Sequence, residues 1–81
     1  MEINWKEHIH SDNDILMGKP VIKGTRISIE FILDLFAKGW TEKMILDNYS
    51  TLKSEDIKAV FIFLNECLQE ELFFPSPKKV A

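Results

Sequence analysis

From Ser54 to Phe74 the chain reads as one helix that is apolar on more faces than its neighbours can cover. Ser54 suits the cap position, and Glu55 and Asp56 fall in the first turn, where acids complement the helix dipole. The Phe73-Phe74-Pro75 run marks the end. Ile57, Phe61, Leu64, Leu68 and Leu72 recur at helical spacing with Val60 widening the stripe, while Ile62, Phe63 and Cys67 lie off it. A helix patterned this way needs cover on more than one side. The whole chain is only 81 residues long, and a domain of about 60 residues hides only about 60% of the surface its unfolded chain exposes. Phe63, Cys67, Leu72, Phe73 and Phe74 therefore mark a surface for another macromolecule. Trp5 and Ile9 join them as interface candidates, since aromatic anchors carry much of the binding energy at interfaces. The alternative is that the N-terminal segment holding Trp5 and Ile9 folds back over the helix.

The rest of the chain supplies little bulk. Ile3, Trp5 and Ile9 alternate with mostly polar residues, which predicts a half-buried extended segment. Ser11 to Asp14 is rich in turn formers, and Val21-Ile22 favours a short strand. A first helix opens at the cap Ser28, carries Ile29, Ile32, Leu33 and Phe36 at helical spacing, and stops at Gly39. A second opens at Thr41 and runs to about Asn48. These elements predict a mostly α chain in three parts: an N-terminal extended arm or β-hairpin over 1–27, a three-helix core over 28–74 and a tail over 75–81. The expected core is Ile29, Ile32, Leu33, Phe36, Trp40, Ile45, Leu52, Ile57, Phe61 and Leu64. A short helix, a turn and a longer helix are also the plan of a helix-turn-helix.

Charge sets the candidates for nucleic acid. The formal net charge of −3 opposes non-specific binding to phosphate but permits a local basic patch. Lys19, Lys23 and Arg26 lie in a stretch without an acid, and Lys43, Lys53 and Lys58 lie on or beside the second and third helices. All six are candidates for DNA contact. The two lysines of the strand region share parity and would point to one side, forming a platform for phosphate or an acidic partner, or else a solvated loop. Arg26 is expected to pair with a nearby carboxylate such as Glu30. Glu55 and Asp56 stand where a recognition helix would meet base edges, and are read as dipole partners.

The segment GKPVIKGTRI, followed by an amphipathic helix ending in Gly39, a short helix and a helix opening Leu52-Lys53-Ser54-Glu55-Asp56-Ile57, resembles the bacterial family called "domain of unknown function 433". The resemblance runs from about Ile9 to Leu68. It implies a homeodomain-like three-helix fold and an antitoxin of the VapB kind, working with a PIN-like ribonuclease. It brings no catalytic residues to carry over.

Nothing in the chain reads as an enzyme. No nucleophile has an evident base, and two histidines, His8 and His10, are a surface pair rather than a zinc site, which wants three or four ligands. Cys67 inside an apolar helix is inert packing. No catalytic residue, metal or cofactor is expected. The longest apolar run, Ala59 to Leu64, is too short to span a membrane, which takes about 20 residues. The N-terminus has no basic region followed by an apolar run, so a cytoplasmic protein is expected. The function expected is that of an antitoxin that masks a ribonuclease toxin and, as a homodimer, binds double-stranded operator DNA. In that scheme Lys78 and Lys79 approach the toxin's acidic site. The alternatives are a stand-alone DNA-binding regulator and a structural homodimerisation module.

Overall fold

The structure is a computed structural model and describes residues 2–70. Leu72, Phe73, Phe74, Lys78, Lys79 and the whole of the expected tail over 75–81 lie outside the described residues.

Two short strands and three helices make a mostly α fold. Strand β1 (Ile9–His10) pairs antiparallel with β2 (Val21–Ile22), in the register Ile9 to Ile22 and His10 to Val21. Helices α1 (Ile29–Ala37), α2 (Glu42–Asn48) and α3 (Ser54–Gln69) follow. The caps are those the sequence predicts for α1 and α2: Ser28 Oγ accepts from the Phe31 N–H and Thr41 Oγ1 from the Met44 N–H. Gly39, at φ 95°, takes the left-handed conformation that ends α1 without a Cβ penalty. The cap of α3 is Lys53 rather than Ser54, and its backbone N–H donates to Asp56 Oδ2 at 3.0 Å. Ser54 is released to donate to Glu42 Oε2 across to α2.

The arm is less extended than expected. Trp5–Glu7 is a 3-10 turn, held by Asn4, whose Oδ1 accepts the Lys6 N–H. A short polar side chain that captures the backbone locally competes with a ladder, so only Ile9 and His10 pair. Lys19 and Lys23 both fall outside β2 and share no strand face. Leu16 and Met17 both take positive φ, at 48° and 59°, an unfavourable conformation for residues with a Cβ, so the apolar triplet from Ile15 forms a tight turn with Met17 fully out in solvent.

The core is centred on Ile22, Ile32, Ile45, Ile57 and Val60. Ile29 and Leu52 are buried as expected, and Leu33, Phe36, Trp40 and Leu64 pack on its edge. Ile9, Val21, Leu35 and Ala59 are buried as well. Phe61 is the correction: it is 47% exposed, and Leu68 is 51% exposed. The inward face of α3 runs through Asp56, Val60, Phe63 and Cys67, each one residue before a member of the expected stripe, a rotation of about 100°. Ile57 and Leu64 lie on the shared margin of the two faces.

Candidate partner-binding site

The rotation of α3 follows from what the arm offers it. The Trp5 ring meets Phe63 edge-on with centroids 4.8 Å apart. Two turns nearer the start of the helix, His8 Nδ1 lies 2.8 Å from Asp56 Oδ1. Asp56 is only 9% exposed and spends its other oxygen on the Lys53 N–H. A carboxylate this enclosed is costly without partners, and both its oxygens have one. The arm therefore folds over α3, and two interface candidates change role. Ile9 is 4% exposed and belongs to the core; Trp5 packs its ring inside the molecule. His8 is likewise no surface residue, and Asp56 does more than complement a dipole. The signal for this pair was present, because Asp56 stands three residues after Lys53, the spacing of a capping box. Nothing local pointed to His8, 48 residues away.

The arm stops short of the last turns of α3. There a groove of about 390 Å³ opens between α3 and α1, floored by Pro20, Ile29, Leu33, Phe63 and Cys67. At one rim Lys19 Nζ pairs with Glu30 Oε1 at 2.9 Å. Phe63 and Cys67 also line a second hollow, bounded by Trp5, Lys6, Glu66 and Glu70. Burial and the carboxylates of Glu70 and Glu66 push the Cys67 thiol above its usual pKa, so the thiol is held protonated in an acidic, apolar corner. Of the interface candidates within the described residues, Phe63 and Cys67 line this groove. Phe61 and Leu68, expected to be interior, are exposed on another face of α3, with Phe61 resting one side on Phe36 at 5.5 Å.

The basic candidates divide. Glu30 belongs to Lys19 rather than to Arg26, which has no ion pair among the described residues. Lys43 pairs with Asp47 at 2.8 Å, which raises its pKa. Lys23, Arg26, Lys53 and Lys58 remain exposed and without an ion pair among the described residues. A relay of hydrogen bonds links the backbones of two of them: the Lys23 N–H donates to the His8 carbonyl, the His8 ring bonds Asp56, and Asp56 accepts the Lys53 N–H. Arg26 follows in the same turn, where Thr25 Oγ1 donates to the Ile22 carbonyl and accepts the Ile27 N–H. Among the described residues no three His, Cys, Asp or Glu side chains gather as a metal site. No described helix is long and apolar enough to cross a membrane.

The architecture is that of a small, mostly α module with a two-stranded sheet at its N-terminal side. A family model described as "Protein of unknown function (DUF433)" matches residues 9–64, and the chain belongs to that family. A solved structure of a DUF433 member from Anabaena variabilis is similar to it, with a TM-score of 0.72 at 23% identity. The match covers 80% of this chain and 64% of that one, so this chain spans less than two thirds of its solved relative. At that identity the likeness establishes the fold. No curated protein matches the chain.

Proposed function

We propose that this protein is a binding module of the antitoxin type, which masks a partner protein through the groove between α1 and α3. The observation that carries the reading is the apolar floor of Leu33, Phe63 and Cys67, left open between α1 and α3. Open apolar surface of this kind costs free energy in water and is recovered on docking. The resemblance of GKPVIKGTRI and the helices after it to antitoxins of the VapB kind supports a PIN-like ribonuclease as the partner. Masking is a matter of shape and burial, and needs no catalytic group on this chain. The test is co-expression with a PIN-like ribonuclease from the same host, followed by capture and an RNA cleavage assay. Leu33→Arg should abolish capture and restore cleavage. Capture that survives Leu33→Arg in a folded protein overturns the groove as the docking surface.

A second reading, operator binding, is favoured by Lys23, Arg26 and Lys53, which are exposed and without an ion pair among the described residues. On this reading DNA affinity falls steeply with salt. Lys23→Glu with Arg26→Glu removes it, while Lys43→Glu, whose charge is already met by Asp47, changes it little. A DNA affinity indifferent to the double reversal would discard this reading.

A further inference from the structure

The groove has a polarity that specifies more about its occupant than its oily floor does. At the α1 end the rim charges cancel, because Lys19 and Glu30 bind each other. At the α3 end they do not. Glu66 and Glu70 stand one turn apart on the same face, an arrangement that isolated helices disfavour by roughly 0.2–0.5 kcal/mol. They also stand at the C-terminus of a 16-residue helix, where the macrodipole is negative and cations are the favourable residues. The last turn of α3 holds no basic side chain. Neither carboxylate forms an ion pair among the described residues. Lys6 lines the same hollow, but its Nζ sits over the Trp5 ring, 5.8 Å from the centroid. The rise in the Cys67 pKa has Glu70 and Glu66 among its causes, after burial, which locates their field at the groove floor. Three sources of negative potential thus converge beside an apolar trough, with no cation of the described chain drawn in to answer them.

We infer that the groove takes a protein segment whose large apolar side chains fill the hollow over Leu33 and Phe63 and whose Lys or Arg, about one helical turn further on, meets Glu66 and Glu70. This rests on the partner-masking reading above and adds the partner's chemistry and its direction. Two hollows that share Phe63 and Cys67 as lining suit a segment laid across them, as when an amphipathic helix lies in a groove. The charge at one end alone fixes which way it lies.

The test uses the full chain and two fluorescein-labelled helical peptides of equal length. Each carries two leucines one turn apart, followed a turn later by a lysine pair in one and a glutamate pair in the other. By fluorescence anisotropy the lysine peptide should bind at least tenfold more tightly than the glutamate peptide and should slow alkylation of Cys67. In the Glu66→Lys, Glu70→Lys protein the preference should reverse. Should that protein fail to fold, Glu66→Gln with Glu70→Gln should bring the two affinities together. Equal binding of both peptides to the unaltered chain, binding of neither, or binding that leaves Cys67 alkylation unchanged overturns the inference. Nuclease capture that is lost in Leu33→Arg while the peptides show no charge preference would sink this inference and leave the masking reading standing. Charge-selective peptide binding with no nuclease captured would do the reverse.

Discussion

The two ends of α3 are finished to different degrees. At its start, Ile57, Ala59 and Val60 are sealed in the core, and Asp56 has a partner for each oxygen. Toward its end, Phe61 and Leu68 stand half in solvent, Cys67 lines an open groove, and two carboxylates share the negative pole of the helix. The arm accounts for the difference. It lies along α3 from the Trp5–Phe63 contact back to the His8–Asp56 contact at the closed end, where it passes into β1. One element thus holds the fold together with its first half and leaves apolar surface open along its second. A small domain can spare surface for recognition only where its core does not need it.

That contrast can be broken by mutation. The largest effect is expected at the closed end. Ile57, 2% exposed, should cost about 3 kcal/mol as Ile57→Ala, within the usual span for emptying a buried aliphatic site, read as a lower denaturant midpoint at constant slope. Asp56→Ala comes next, at about 2 kcal/mol, since it removes a cap and leaves His8 without its acceptor. His8→Ala should cost less, because Asp56 would still hold the Lys53 N–H. Equal losses for His8→Ala and Asp56→Ala would mean that the cap contributes nothing. Leu68→Ser at the open end should stay within about 0.5 kcal/mol of the parent; a loss like that at Ile57 would erase the contrast between the two ends. The smallest effect is on the thiol. Glu66→Gln with Glu70→Gln removes two charges that hold Cys67 in its neutral form. The pKa should fall, the thiolate fraction at pH 8 should rise, and alkylation should quicken, its pH profile moving to lower pH. Burial still holds the pKa up, so the gain is modest. An unchanged profile would remove the carboxylate field from the groove floor.

Much of the fold was legible because its rules are local. Ser28 and Thr41 announce helix starts with a hydroxyl placed for an N–H three residues on, and Gly39 announces a stop by the left-handed turn it permits. The groove was half legible. Phe63 and Cys67 stood out as apolar residues off the expected stripe, but Trp5 and Ile9 were read as facing outward with them. Their true positions depend on the arm crossing α3, and alternation along residues 3–9 carries no information about what lies across from it. The pairing of Lys19 with Glu30, in place of Arg26, was hidden for the same reason: β2 ends at Ile22, and the turn after it carries Arg26 away.

By itself the sequence determined where α1 and α2 begin and end, that three helices share one oily core, and that α3, which ends at Gln69 rather than at the expected Phe74, carries more apolar faces than one neighbour can cover. Only the tertiary structure decided which of those faces turns inward. Periodicity fixes the angle between side chains on one helix, but the absolute rotation is chosen by the element that packs on it. Here that element is an arm whose histidine lies 48 residues from its carboxylate.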